Sequence, residues 1–214
     1  MFPLNPLNYL EILAFLTSVI LWPKLKSTRL CWFIPFLLLI VVVELIGRYY
    51  SREIHQSNAW LYNLSVPIEY LFYSFLFYQY FISKKFKTLA AAFLVLFPAF
   101  AIINYLFIQD SARFNTNFLK VGSLFMFLFA ALYFVDFLRI DKVLTPLKQP
   151  FFWIASGILL FNAGEFVYNV FFEFYFKNWE VGLKHFRDIN NTLNYVLFSC
   201  IIIGLISVLW HQEE

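Results

Sequence analysis

The chain alternates long apolar segments with short polar connections. Each apolar segment is close to the length that an α-helix needs to cross the hydrocarbon core of a bilayer, about 17–25 residues. The runs are continuously apolar rather than alternating, which favours helices over the strands of a barrel. The pattern predicts an all-α integral membrane protein with seven transmembrane helices, at about Leu7–Trp22, Leu30–Tyr50, Leu61–Ile82, Thr88–Ile108, Phe118–Leu138, Phe151–Phe172 and Ile189–Trp210.

Polar residues inside these segments share one depth when the segments are threaded alternately through a bilayer. Acids, amides and an arginine fall in one half of the membrane, whereas the other half holds mostly Phe, Leu, Ile and Val. An ionisable side chain in hydrocarbon costs roughly 2.5–3.5 kcal/mol on insertion scales, so a layer of them indicates a shared hydrated pocket. We predict a ligand-binding pocket lined by Glu11, Glu44, Arg48, Asn63, Glu69, Asn104, Asn162, Glu165, Asn169, Asn191 and Asn194.

Composition agrees with lipid as the solvent. The chain is 62% hydrophobic and 14% charged, against about 45–50% apolar and about 25% charged for soluble proteins. Seven spans with short loops use up the 214 residues, so we expect a single transmembrane domain over residues 1–214. The net charge of +3 is too small and too dispersed to indicate nucleic acid as a partner.

Basic residues in the connections predict the orientation. Lys24, Lys26, Arg29, Lys84, Lys85, Lys87, Arg139, Lys142 and Lys148 fall on one side, whereas Arg52, Arg113, Lys177, Lys184 and Arg187 fall on the other, mostly beside acids. Cytoplasmic loops carry an excess of Lys and Arg. We therefore predict a multi-pass protein of the cytoplasmic membrane with its N-terminus outside and residues His211–Glu214 in the cytoplasm, which puts the polar layer in the outer half.

The first three segments resemble the last three. Asn8-Tyr-Leu-Glu-Ile12 resembles Asn117-Phe-Leu-Lys-Val121, and Trp32 and Glu44 are spaced like Trp153 and Glu165. Corresponding segments run in the same direction, which is typical of a parallel repeat about an axis along the membrane normal. The pattern predicts a 3+1+3 arrangement: residues 1–87, a linker helix at 88–108, and residues 109–214. The repeat would pair Glu44 with Glu165, Arg48 with Asn169, Glu69 with Asn194, and Glu11 with Lys120.

Several polar residues admit an alternative, structural interpretation. Glu44 and Arg48 lie four residues apart and could form an ion pair on one helix face. Asn162, Glu165 and Asn169 form one polar stripe without a cation, so Glu165 needs a partner from another helix or is protonated. The asparagines of this stripe could instead join helices by hydrogen bonds.

Three further positions receive local interpretations. Pro67 removes a backbone donor one turn from the start of the third span and exposes polar backbone near Glu69. At least one of Asn190 and Asn191 is expected to cap the N-terminus of the seventh helix, which leaves Asn194 as the deeper residue. Asp136, beside Arg139, is expected to form a surface ion pair.

Motifs for metal or cofactor chemistry are not evident in the sequence. Cys31 and Cys200 lie in or beside apolar segments and indicate neither a disulfide framework nor a metal site. His55 and His185 occur in predicted loops without metal-binding spacing. We expect no metal and no cofactor.

One motif resembles a known family. Asn63-Leu-Ser-Val-Pro67-Ile-Glu69-Tyr70-Leu-Phe72-Tyr73 resembles the Pro-x-Glu-Glu…Phe segment of integral-membrane lycopene cyclase domains, which also consist of repeated three-helix units. The resemblance implies a role for Glu69 in protonating a carotenoid double bond. Tyr70 replaces the second acid, and the other half has Asn194 instead of an acid. The 3+1+3 arrangement is also similar to that of SWEET-type sugar transporters.

Three functions follow as hypotheses. The first is a non-enzymatic membrane protein that binds a small molecule or lipid and acts as a sensor or accessory subunit, with a separate signalling protein or a second copy as its partner. The second is a small-solute or proton-coupled transporter. The third is an isoprenoid- or lipid-modifying enzyme with Glu69 or Glu165 as proton donor. We favour the first, because a polar layer above an apolar floor suits binding without passage.

Overall fold

The described part of the chain is helical throughout. A computed structural model describes residues 4–109, 114–139, 146–175 and 179–209, with the side chains of 171–187 left aside. Within these ranges there is no strand, and the all-α prediction is confirmed. The α-helices are α1 (Pro6–Ile20), α2 (Trp22–Leu25), α3 (Phe33–Tyr49), α4 (Ala59–Tyr80), α5 (Lys84–Ile103), α6 (Thr116–Leu138), α7 (Pro150–Tyr175) and α8 (Trp179–Ser207).

Short non-α turns extend two of the helices. A 3₁₀ turn at Arg29–Trp32 leads into α3, and π-helical turns at Tyr50–Ile54 and Asn104–Ile108 continue α3 and α5. Helix α8 begins at Trp179, well before the predicted Ile189. Its first turns are rich in charge, which made them resemble a loop in the sequence.

The early start of α8 overturns one local interpretation. Asn190 and Asn191 lie inside the helix, so the prediction that one of them is its N-cap is wrong. Other predicted features lie outside the described residues or side chains, namely Arg113, Lys142, Lys177, Lys184, His185, Arg187, Trp210 and the terminal His211–Glu214.

Five helical segments of the described chain are long and apolar enough to cross a membrane. They are Arg29–Ile54, Lys84–Ile108, Thr116–Leu138, Pro150–Val170 and Asp188–Ser207. Helix α1 is apolar but only 15 residues long. Helix α4 has 22 residues but includes polar side chains such as Asn63, Ser65 and Glu69. The structure thus agrees with a helical membrane protein.

Six of the helices pack as a ring. Contacts join α1 to α3, α3 to α4, α4 to α6, α6 to α7, α7 to α8, and α8 back to α1. Helix α5 packs outside this ring, against α4 and α6. Val95 and Leu96 on α5 are 73% and 66% exposed, as expected for side chains that contact lipid tails.

Aromatic side chains fill one end of the ring. Phe77, Phe81, Phe129 and Phe151 are almost completely buried there. The Phe77 and Phe151 rings meet edge to face with their centroids 5.4 Å apart, and Tyr80 stacks on Phe151 at 3.9 Å. Aromatic pairs at such distances contribute about 0.5–1.5 kcal/mol beyond their buried area. This end of the bundle is a densely packed apolar core.

Asp136 occupies this end but does not behave as the sequence predicts. It is 4% exposed rather than at the surface, and its Oδ2 accepts hydrogen bonds from the backbone N–H groups of Ile82 and Ser83, both at 2.9 Å. Arg139 lies with its guanidinium over the Phe86 ring. The predicted surface ion pair is therefore wrong: a turn entering α5 has unpaired amides, and Asp136 satisfies two of them.

Replacement of Asp136 by alanine tests this role. We expect Asp136→Ala to lower the free energy of unfolding by about 2–3 kcal/mol, because two partly buried backbone N–H groups lose their shared acceptor. Thermal denaturation of the detergent-purified protein measures the change. Asp188→Ala, at an exposed position, is the matched control and should leave the melting temperature unchanged. Equal melting of the two variants would contradict the assignment.

Candidate functional site

A cavity of about 500 Å³ lies between the six ring helices. It is at the end of the bundle away from the aromatic core, and each ring helix contributes side chains to it, while the described lining contains none from α5. Ligand sites in proteins occupy about 300–1,000 Å³, so the volume suits a small molecule.

Most of the polar residues singled out in the sequence face this cavity. Those in the lining are Glu11, Glu44, Arg48, Glu69, Asn162, Glu165, Asn169, Asn191 and Asn194. They come from α1, α3, α4, α7 and α8, and their side chains meet only because the ring closes. Asn63 and Asn104 belong to a different cluster.

On the α1–α3 side, two acids have protein partners. Asn8 accepts a hydrogen bond from the backbone N–H of Asn5 at 3.2 Å and donates one from Nδ2 to Glu11 Oε2 at 3.0 Å. The Tyr62 hydroxyl of α4 hydrogen-bonds to the Glu44 carboxyl. Arg48 interacts electrostatically with both acids, so its charge is shared between helices rather than confined to the predicted intrahelical pair.

On the α7 side, Glu165 also finds a partner on another helix. The Tyr70 hydroxyl donates to Glu165 Oε2 at 3.3 Å and lies 3.4 Å from the carbonyl oxygen of Leu119. The sequence left two possibilities for Glu165, a partner on another helix or a protonated carboxyl group. The structure supplies a partner on another helix, the hydroxyl group of Tyr70. Tyr70 occupies the position of the second acid in the lycopene cyclase motif.

Two glycines allow these tyrosines to approach. A Cβ atom at Gly122 of α6 would overlap the ring of Tyr70, and one at Gly47 of α3 would lie 3.0 Å from the Tyr62 hydroxyl oxygen. Both positions are in helices, so the requirement is for space rather than for an unusual backbone conformation. The absence of a side chain at Gly47 and Gly122 therefore helps to place both tyrosine–glutamate hydrogen bonds.

Glu69 has a different environment from the other acids. It faces the cavity from α4, and its charged neighbours are Glu44, Glu165 and Glu11. Four carboxyl groups from four helices thus surround one space. In the described residues, no three His, Cys, Asp or Glu side chains converge closely enough to hold a metal ion, so the acids are spread over the walls.

The amides of the wall bond mainly to their own helices. Asn162 donates from Nδ2 to the carbonyl oxygen of Ile158 at 2.8 Å, and Asn194 donates to that of Asn190 at 2.9 Å. Asn162 is 1% exposed, and its Oδ1 has no hydrogen-bond partner among the described residues. The Asn162 contact stays within α7, in contrast to the interhelical alternative considered for its stripe, and the Asn194 contact stays within α8.

Sequence reasoning missed the tyrosines of this site. Tyr62, Tyr70, Tyr73 and Tyr168 all line the cavity. Tyrosine is enriched at membrane interfaces, so a tyrosine in an apolar segment does not by itself indicate a cavity. A signal was present on α4, because Tyr62, Val66, Glu69, Tyr70 and Tyr73 follow the i, i+4, i+7, i+8, i+11 spacing of one helix face.

Apolar side chains complete the lining. They include both aliphatic and aromatic groups, namely Leu7, Ile40, Val66, Phe114, Leu119, Phe161, Ile189, Leu193, Leu197 and Phe198. The arrangement can therefore hold an apolar body and a polar or charged group together.

Asn63 and Asn104 serve a structural purpose at the α5–α6 connection. Asn63 Oδ1 accepts the backbone N–H of Asn115 at 2.9 Å. Asn104 hydrogen-bonds through Nδ2 to Asn115 and through Oδ1 to Asn117 Nδ2, the latter at 3.0 Å. Polar groups at the ends of two helices are thereby satisfied internally, as burial requires.

We expect Asn63→Ala to destabilise the protein by about 1–3 kcal/mol, because the buried amide of Asn115 loses its acceptor. Thermal denaturation is the measurement. Asn191→Ala is the matched control: it removes the same side-chain amide group, but from the cavity wall, and should change the free energy of unfolding by no more than about 0.5 kcal/mol. If Asn63→Ala melts like the wild type, Asn63 does not hold this connection.

Comparison of the chain with protein-family models, with curated proteins and with solved structures gives no match in any of the three. The similarities to lycopene cyclase domains and to SWEET-type transporters therefore stay predictions from the sequence.

Proposed function

We propose that this chain is a polytopic membrane protein that binds a small molecule or lipid in the cavity and acts as a sensor or accessory subunit. The observation that carries the proposal is the cavity itself: about 500 Å³ of space, lined by polar side chains from all six ring helices and located beside a closed apolar core. Polar groups of this kind are costly to bury in hydrocarbon and usually have a functional role.

The aromatic end of the bundle favours binding over transport. A transported solute would have to pass Phe77, Phe81, Phe129 and Phe151, which are almost completely buried and packed against one another. These side chains offer no hydrogen bonds to a polar solute. A ligand that enters the cavity would be retained there.

The acids favour binding over isoprenoid chemistry. In the lycopene cyclase resemblance, the residue after Glu69 is a second acid, but here it is Tyr70. The Tyr70 hydroxyl donates a hydrogen bond to Glu165 and so is engaged within the wall. The pair of adjacent acids implied by the resemblance is therefore incomplete, and we rank an enzyme lower.

We further propose that the bundle is a parallel repeat of two three-helix units. If α1, α3 and α4 are matched in order with α6, α7 and α8, every pair of helices in contact within the ring corresponds to another pair in contact. Helix α5, which corresponds to the predicted linker, lies outside. These adjacencies support the 3+1+3 arrangement, in which the cavity would lie between the two units.

Membership of the ring also supports seven spans. Helices α1 and α4 are neighbours of α3, α6 and α8, which are long and apolar enough to span a bilayer. We propose that both cross the membrane, with the N-terminus and the cavity outside. A ligand would then alter how ring helices pack, and a separate protein or a second copy would detect the change.

Filling the cavity tests the proposed function. We expect native mass spectrometry to detect a small molecule or lipid bound to the purified wild-type protein. Val66→Phe, which adds a ring to the lining, should reduce its occupancy at least about tenfold, equivalent to about 1.4 kcal/mol. Val95→Phe makes the same change on the exposed side of α5 and should retain the wild-type signal. The proposal would be contradicted if the wild-type protein carried no bound small molecule or lipid, or if Val66→Phe carried as much of it as the wild type.

Thiol labelling tests the orientation. Ser27 and Ser57 are both exposed, and they lie in the connections at the two opposite ends of α3. In a background with Cys31 and Cys200 replaced by serine, Ser57→Cys should react with a membrane-impermeant maleimide on intact cells. Ser27→Cys should react only after permeabilisation, because its connection contains Lys24, Lys26 and Arg29. The reverse pattern would place the cavity on the cytoplasmic side.

A further inference from the structure

The charges around the cavity are strongly unequal. Glu11, Glu44, Glu69 and Glu165 line it, whereas Arg48 is the one cation in the described lining. Buried charges need a compensating partner. Arg48 can offset part of this negative charge, chiefly for Glu11 and Glu44. The Glu69–Glu165 side has an excess of carboxyl groups, which a positively charged occupant would balance.

Several hydrogen-bond donors of the wall are already used within the protein. Tyr62 and Tyr70 hydrogen-bond to Glu44 and Glu165, and Asn8 donates to Glu11. Asn194 donates to the backbone of its own helix. The four carboxyl groups of the lining offer further oxygen atoms as acceptors. These oxygens suit a ligand that donates hydrogen bonds.

The size and spread of the site favour an organic cation over a metal ion. A bound Ca²⁺ ion needs about 6–8 oxygen ligands at 2.3–2.6 Å. The described acids do not converge in groups of three, and a single ion would leave most of the 500 Å³ empty. An ammonium group on a carbon skeleton can reach one or two acceptors and fill the remainder with its body.

Aromatic rings near the acids add a second attraction for a cation. Tyr73 interacts electrostatically with Glu69 and Glu165, and all three line the cavity together with Phe161 and Phe198. A cation is attracted to the face of an aromatic ring, typically within about 6 Å of its centroid. The same rings offer apolar surface to the remainder of a ligand.

We infer that the ligand of this cavity is an organic amine cation, with an apolar body and N–H groups that donate to the wall. The inference rests on the proposed binding function and names its ligand class. An ammonium group has three N–H donors and no acceptor, which complements the carboxyl oxygens of the wall. We assign this group to Glu69, whose charged neighbours are all acids.

Three probes with one carbon skeleton separate charge from shape. Phenethylamine, 2-phenylethanol and phenylacetate have the same aromatic body with a cationic, neutral or anionic end. Isothermal titration of the protein in nanodiscs of uncharged lipid, corrected with empty nanodiscs, should show the amine binding at least about tenfold more tightly than the alcohol. Phenylacetate should show no saturable binding.

Variants locate the charge that is responsible. Glu69→Gln should weaken phenethylamine binding at least about tenfold and leave 2-phenylethanol binding unchanged. Glu53→Gln makes the same change at an exposed acid outside the cavity and should bind like the wild type. Glu165→Gln is the second variant, for use if Glu69→Gln fails to elute as a folded monodisperse protein, and the same loss is expected.

The outcomes distinguish this inference from the proposed function. Equal or tighter binding of the alcohol or of phenylacetate would overturn the inference of a cationic ligand, and loss of that binding in Val66→Phe would still support a ligand cavity. Wild-type affinity for phenethylamine in both glutamine variants would also overturn it. If none of the probes binds, the inference fails, whereas occupancy in native mass spectrometry decides the proposed function independently.

Discussion

The structure depends on the high cost of placing polar groups in hydrocarbon. In a bilayer, a carboxyl or amide that faces lipid finds no water to bind, so it must turn towards protein or towards an internal cavity. Glu11, Glu44, Glu69 and Glu165 lie on four different helices, and all four face the space inside the ring. Meeting this requirement on several helices at once fixes how each is rotated about its axis.

The same constraint is met in opposite ways at the two ends of the bundle. Asp136 is buried beside the aromatic core, and its Oδ2 accepts hydrogen bonds from two backbone N–H groups. Glu69 faces a cavity and has other acids as neighbours. A buried polar group with a structural role is paired within the protein, whereas the acids around the cavity support the proposed ligand site.

The sequence predicted much of this because helix periodicity and polar depth are local properties. Long apolar runs placed the helices α3 to α7 within a few residues, and depth alone selected the acids that meet in the cavity. The sequence could not predict the contacts that depend on how each helix is rotated about its axis. Asn63 and Asn104 share the depth of the acids but face the α5–α6 connection, and Tyr70 reaches Glu165 only because α4 lies between α3 and α6.

Under the proposed repeat, the two halves match in shape but not in charge. Glu69 corresponds to Asn194, and Arg48 to Asn169, so the pseudo-two-fold axis relates an acid to an amide and a cation to an amide. Two similar units would by themselves produce a symmetric chamber, which holds an asymmetric ligand equally well in two orientations. Carboxyl groups are then the neighbours of Glu69, whereas the cation lies near Glu11 and Glu44. Divergence at paired positions therefore gives the chamber a polarity, and a ligand with one charged end would bind in a single orientation.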